Sequence, residues 1–268
     1  MPSWDPALYA RFLNQRTRPA EDLATRLADV LAVGAAPCIV DLGCGPGNST
    51  AVLRQRWPGA RLTGLDSSPE MIAQARKSGI AAEWLVADAA AWSPEVGERV
   101  DAVFANASLQ WISDQAGLLA RAWTWLEEGG ALAVQVPANG GSPLHLALRA
   151  AAADPRWIAR APTSFAGLDD AIRYHEPDWY FDVLEPLGGT VDVWETTYWH
   201  VLPGRAALIA WYSGTGMRPW LDALADDADR EAFKADVLDR AAPSYPERAD
   251  GSVLFPFRRA FFTAAKIA

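Results

Sequence analysis

The stretch Ile39-Val40-Asp41-Leu42-Gly43-Cys44-Gly45-Pro46-Gly47-Asn48-Ser49-Thr50 constrains this chain more than any other. Ile39 and Val40 are β-branched and apolar, as a central parallel strand requires. Three alternating glycines follow, so the turn can take positive φ and approach a ligand without a Cβ in the way. Asn48, Ser49 and Thr50 are suitable caps for the next helix, whose free N–H groups favour a negative group. Strand, glycine turn and helix together predict a ligand cradle.

Half of the 268 residues are hydrophobic, enough for one elaborated domain with a substantial core. A formal net charge of −9 argues against a nucleic-acid partner. Thirteen tryptophans are a heavy load: many are expected in the core, and others suit the walls of a small-molecule pocket. Cys38 and Cys44 flank the turn without metal or disulfide spacing. The N-terminus lacks a basic region followed by an apolar run, and no stretch is apolar over the length of a bilayer. A soluble cytoplasmic protein is expected, with no membrane association and no evident protein partner.

Residues 5–16 read as a helix, and Pro19 suits the first turn of a second one. Arg16 and Arg18 then fall at a helix junction, where paired hydrogen bonds could hold a carboxylate. Beyond the turn, strands are expected at 61–65, 83–86, 100–105 and 131–136. Helices run between them, one opened by Ser68-Pro69, another by Asp114 and closed by Gly129-Gly130. Asp41, Asp66, Asp88 and Asn106 each stand at or just past a strand end. A long strand at 190–201 and a last strand from 257, after Pro256, could pair as antiparallel neighbours. The fold class is therefore α/β, a doubly wound, mainly parallel seven-stranded Rossmann-like sheet with an antiparallel last strand. The whole chain, 1–268, reads as one domain, with helices 5–33 and insertions 142–175 and 203–250 as a cap over the ligand edge.

The cofactor is less directly legible. A dinucleotide site wants a third glycine where Asn48 stands, yet Asp66 could hold a ribose diol in either case. Asp41, ahead of the glycines, would repel a pyrophosphate and suits a cationic or amino-bearing ligand. The run Asp41-Leu42-Gly43-Cys44-Gly45-Pro46-Gly47 resembles the signature of class I S-adenosylmethionine-dependent methyltransferases. Met1–Pro19, Asp41–Pro69, Phe104–Trp111, Val193–His200 and Thr215–Leu221 further resemble the trans-aconitate 2-methyltransferase family.

That resemblance implies S-adenosylmethionine as cofactor and S-adenosylhomocysteine as product. Gly43, Gly45 and Gly47 would admit the methionine part, with Asp41 near the same end. Asp66, with Ser67 and Met71 beside it, would hold the ribose. Asp88 and Ala89 would meet the adenine, and Asn106 the sulfonium end. The acceptor would be a small tricarboxylate, methylated on a carboxylate oxygen. Such an oxygen is already ionised at neutral pH, so no general base and no metal is expected. Arg16, Arg18, Gln110, Trp111, Tyr198, His200 and Arg218 are the expected acceptor contacts. Arg258 and Arg259 are further candidates, of which at most one should reach a given pocket, because strand neighbours point to opposite faces. A carrier-protein carboxyl methyltransferase, a nicotinamide dehydrogenase and a cofactor sensor without turnover are the alternatives.

Overall fold

The structure is a computed structural model that describes residues 13–161, 165, 168, 173 and 175–267, with 13–16 described by backbone alone. Five strands, β1 (Cys38–Leu42), β2 (Arg61–Asp66), β3 (Glu83–Val86), β4 (Val100–Asn106) and β5 (Leu126–Pro137), pair in parallel. With β6 (Thr190–Leu202) and β7 (Val253–Ala265) they form one sheet in the order β3-β2-β1-β4-β5-β7-β6. β7 runs antiparallel to β5. The strand order reverses between β1 and β4, and ligands of such sheets bind at the carboxyl ends beside that switch. The first six residues of β4 are buried, as the apolar run predicts.

Helices α1 (Leu13–Val30), α2 (Asn48–Arg56), α3 (Pro69–Lys77) and α4 (Gln115–Trp125) connect or flank these strands. Ser68 caps α3 as expected, accepting from Met71 N at 3.2 Å, and Asp114 caps α4 through Gly117 N at 2.8 Å. Contacts divide the chain into two compact units, two of the boundaries falling inside β6 and β7. The first holds Asn14–Pro137, His175–Thr196 and the chain from Arg259 on, and so contains the glycine turn. It also includes α7 (Pro177–Leu184), whose Tyr180 donates to Gln115 Oε1 at 2.8 Å.

The described residues of the second unit include α5 (Pro143–Ala152), α6 (Pro155–Ile158), α8 (Ala206–Ser213), α9 (Arg218–Asp222) and α10 (Asp227–Ala241). It has its own core, centred on Leu148, Trp157, Trp211, Trp220, Phe233 and Phe255. Tryptophan there fills the interior, so part of the high tryptophan count is structural.

Four expectations are corrected. Leu13–Val30 is one continuous helix with Pro19 inside it, so Arg16 and Arg18 do not stand at a junction. Pro19 cannot donate to the Gln15 carbonyl, a cost of roughly 3 kcal/mol. Burial of Pro19, Ala20, Leu23, Ala24 and Leu27 along one face offsets it. The expected helix over 5–16 otherwise lies outside the described residues. Gly129-Gly130 does not end α4, which stops at Trp125. The pair sits inside β5, where the register slips from Val100↔Leu126 to Ala102↔Ala131. Glycines absorb that bulge, since a Cβ at Gly130 would stand 2.7 Å from Asp101 O. β7 begins before Pro256, at Val253. The ladder to β5 starts only at Arg259, so the missing N–H of Pro256 leaves no β5 carbonyl unpaired. The fourth correction concerns the cap of α2 and belongs to the site.

Candidate functional site

The turn after β1 is tied to β2, because the N–H groups of Gly43 and Cys44 both donate to the Leu65 carbonyl at 2.8 and 2.9 Å. Gly43, Gly45 and Gly47 have φ of 70°, 55° and 97°. Each glycine meets different surroundings. A Cβ on Gly43 would stand 2.3 Å from Ser108 Cβ, and one on Gly47 3.0 Å from the Trp84 ring. A Cβ on Gly45 would meet nothing within 4 Å, so the turn is open to a ligand there.

Asn48, Ser49 and Thr50 do not cap α2. Gly47 is the N-cap, in a left-handed conformation and without a side-chain bond. The hydroxyls of Ser49 and Thr50 turn back instead and donate to Asp41 Oδ2 at 2.7 and 2.6 Å. A buried carboxylate claims them more strongly than free N–H groups do, since a charge-assisted bond is the stronger one. Asp41 is 1% exposed, and burial pushes its carboxyl up to about 6 against the lowering effect of those two hydroxyls.

Asp66 ends β2 with both oxygens engaged: Oδ2 accepts from Gly45 N at 3.0 Å and Oδ1 from Ser68 N at 2.9 Å. Burial raises its pKa, and the two N–H groups hold it down. Each oxygen keeps a second lone pair, so a fixed carboxylate is presented for a diol. Ser67 beside it is exposed and Met71 is buried. Asp88 is exposed past β3, with Oδ1 accepting from Ala90 N at 2.9 Å, and Ala89 is half-buried.

Past β4 the chain turns sharply at Ala107, which takes φ 57°. Ser108 Oγ donates to the Leu42 carbonyl at 2.6 Å, tying this loop to the start of the glycine turn. Gln110 is buried in the turn Leu109–Trp111, and its Nε2 donates to the Ala107 carbonyl at 2.7 Å. Three buried oxygens, Asp41 Oδ1 in β1, Asn106 Oδ1 at the end of neighbouring β4 and Gln110 Oε1 in the turn beyond it, have no hydrogen-bond partner among the described residues. All three are acceptors. A buried acceptor left empty is costly, so this edge suits a ligand that donates or carries positive charge. S-adenosylmethionine, with an ammonium and a sulfonium, fits that set of acceptors, whereas a pyrophosphate does not.

The expected acceptor contacts are spread through the chain. Arg18 is exposed on α1, and the Arg16 side chain lies outside the described residues. Trp111 is half-buried after β4. Tyr198 and His200 share one side of β6 and are both buried, while Trp199 and Val201 between and after them are exposed, as strand alternation requires. His200 stacks on Trp211, with ring centroids 4.8 Å apart. Arg218 begins α9 and pairs with Asp222 at 3.0 Å, one helical turn on. Of the neighbours Arg258 and Arg259, Arg259 is buried and Arg258 half-buried with its Nε on the Ala138 carbonyl. His145 is buried and bonded through Nδ1 to the Tyr212 hydroxyl at 2.5 Å, and His175 stacks on Trp179. Among the described residues no group of His, Cys, Asp and Glu could hold a metal ion.

Sequence reasoning missed Ser108 as the partner of Gly43, the two hydroxyls on Asp41, and Trp84 as the wall behind Gly47 and Gly64. Only the last had a local signal, an aromatic in a four-residue strand.

The profile of the methyltransferase-domain family matches residues 39–130, from β1 into β5. The trans-aconitate 2-methyltransferase of Paracidovorax citrulli is 43% identical over 274 residues, covering 100% of both chains. That of Escherichia coli strain 55989 is 40% identical over 266 residues, covering 99% of each. This chain belongs to the trans-aconitate 2-methyltransferase family. Members of this family use S-adenosylmethionine, so the nicotinamide alternative is set aside. Among solved structures, the YcgJ protein of Bacillus subtilis superposes with a TM-score of 0.58 at 13% identity, covering 92% of this chain and 99% of that one. The plantazolicin methyltransferase BpumL, in complex with SAH, superposes with a TM-score of 0.53 at 14% identity, covering 97% and 90%. At that identity the likeness establishes a shared Rossmann-like methyltransferase fold for the family member described here.

Proposed function

We propose that this chain transfers a methyl group from S-adenosylmethionine to a carboxylate of trans-aconitate, giving the monomethyl ester and S-adenosylhomocysteine. The observation that carries this reading is end-to-end identity of 40–43% with proteins of that activity. When bound, the cofactor supplies an electrophilic methyl on a cationic sulfur. Asp66, fixed by Gly45 and Ser68, is proposed to hold the ribose hydroxyls, with Ser67 and Met71 alongside. Asp88 and Ala89 are proposed for the adenine. Gly45, between Gly43 and Gly47, leaves the backbone bare for the methionine part, and Asp41 Oδ1, Asn106 Oδ1 and Gln110 Oε1 are acceptors for its positive groups. Arg16, Arg18, Trp111, Tyr198, His200 and Arg218 remain proposed acceptor contacts, whereas Gln110, expected among them, is proposed instead for the cofactor because its orphaned atom is an acceptor oxygen.

The protein has no proton to remove, because the acceptor oxygen is ionised at pH 7. Its task is to align the reactants and exclude water, since the reaction cancels a negative and a positive charge. We place the reaction in the cytoplasm, in keeping with the free thiols of Cys38 and Cys44. Mass spectrometry of products from trans-aconitate, cis-aconitate, isocitrate and citrate tests the reading. A monomethyl ester of trans-aconitate as the main product is expected. No ester from any of the four would overturn it.

A further inference from the structure

The carboxyl edge of the sheet changes polarity in strand order. Asp88 follows β3, Asp66 ends β2 and Asp41 lies in β1; Asn106 ends β4, Gln135 lies near the end of β5, and Arg259 stands opposite Pro137 on β7. Acids occupy one side of the switch between β1 and β4, and amides and a guanidinium the other. The register also fixes the face. Asp41 pairs with Phe104, Asn106 is two residues on from Phe104, and Asn106 pairs with Gln135. Gln135 pairs with Phe261, two residues from Arg259. Side chains alternate along a strand, so Asp41, Asn106, Gln135 and Arg259 all project from one face.

Gln135 is fully buried, at 0% exposure, and Arg259 is 4% exposed. Arg259 Nη1 donates to Gln135 Oε1 at 2.9 Å. A guanidinium only donates, so this bond fixes which end of the amide is oxygen and leaves Nε2 as a donor. Gln135 Nε2 is buried with no hydrogen-bond partner among the described residues. A donor with nothing to donate to therefore sits beside a buried positive charge. Neighbouring strands are about 4.8 Å apart, which puts this pair one to two strand spacings, roughly 5–10 Å, from Asn106. The orphaned groups of β1 and β4 are acceptors and suit the cationic cofactor. Here the orphan is a donor, and it suits an anion.

We propose that Gln135 Nε2 and the Arg259 guanidinium form the subsite that binds a non-reacting carboxylate of the acceptor. The assignment rests on the reading that the acceptor is a polycarboxylate. A carboxylate takes the free N–H of Gln135 on one oxygen and lies against the guanidinium with the other, a planar match that arginine makes well. This pair thus selects a di- or tricarboxylate over a monoacid, while the acids on the other side of Asn106 deter the anion from the cofactor's half.

Two variants and a truncated acceptor test it. Gln135→Met keeps the volume and removes the donor. Gln135→Glu keeps the acceptor for Arg259 and adds a repelling charge, so it is expected to fold. Steady-state kinetics should show the acceptor KM raised at least tenfold in Q135M and further in Q135E, with the S-adenosylmethionine KM within twofold of wild type. Titration of trans-aconitate into the protein loaded with S-adenosylhomocysteine should show the same weakening without turnover. A diacid lacking one carboxylate should bind wild type poorly but lose little more in Q135M, because both changes delete one contact. An acceptor KM unchanged in folded Q135M and Q135E overturns the assignment, as does an equal rise for acceptor and cofactor, which marks a merely structural pair. If wild type makes no ester from trans-aconitate, the functional reading fails instead, a result separable from wild-type turnover with indifferent variants.

Discussion

An alanine at position 43 would drive Cβ to 2.3 Å from Ser108 Cβ, whereas at 45 it would meet nothing within 4 Å. Both positions have positive φ, which costs an alanine roughly 1–2 kcal/mol. G43A should therefore lose stability well beyond that backbone cost. G45A should lose about that cost alone, yet weaken S-adenosylmethionine by more than tenfold, because its methyl occupies the open space. Denaturant unfolding and titration calorimetry on both variants check the contrast. Asp41 carries a second prediction at this scale. Its folded pKa of about 6 lies above the ordinary 3.8, so the folded state holds the proton more tightly. That favours the fold below pH 3.8 and is lost as pH rises through 6. Relative to D41N, the unliganded wild type should gain roughly 2 kcal/mol on going from about pH 7.5 to pH 4.5. A flat difference across that range would show that Asp41 titrates normally.

Elements were legible where a local signal ended them. Asp66 and Asn106 close β2 and β4, Asp88 follows β3, Ser68-Pro69 opens α3, and the glycines mark the turn after β1. Where two rules competed, the local reading failed. Gly129-Gly130 looks like a helix stop, but the same glycines serve a bulge between β4 and β5. Pro19 looks like a helix start, but lies within α1. The pairings that build this edge were not legible, because they cross long stretches of chain: Ser108 meets Leu42 over 66 residues, and Arg259 meets Gln135 over 124. Strand register decides those meetings, and no short motif encodes it. The bulge yields its own prediction. G130A would place Cβ 2.7 Å from Asp101 O and 2.9 Å from Glu127 O. Overpacking of this kind costs roughly 1–3 kcal/mol, to be seen as a lower denaturant midpoint.

At the scale of the molecule, a charge of −9 acts on two substrates of opposite sign. Its long-range field attracts a cationic cofactor and repels a polyanionic acceptor, and salt screens both effects over a Debye length of about 10 Å. The cofactor KM should therefore rise between about 20 and 200 mM salt, while the acceptor KM falls or holds. Buried contacts such as those of Arg259 are screened much less and should not reverse that sign. Movement of both constants in one direction would mean that local rather than global charge governs encounter. Among the described residues no helix is long and apolar enough to cross a membrane.

Cys44 sits inside the glycine turn, packed with Ile72, Ala75 and Trp84, and burial holds its thiol far above the usual range. It is thus shielded from oxidants and alkylating reagents while the turn stays closed. Cys38, only half-buried at the start of β1, has no such shelter. A thiol reagent should mark Cys38 promptly and Cys44 only as fast as the turn opens. The delayed second label would act as a clock for that opening, and a saturating load of S-adenosylhomocysteine should slow it.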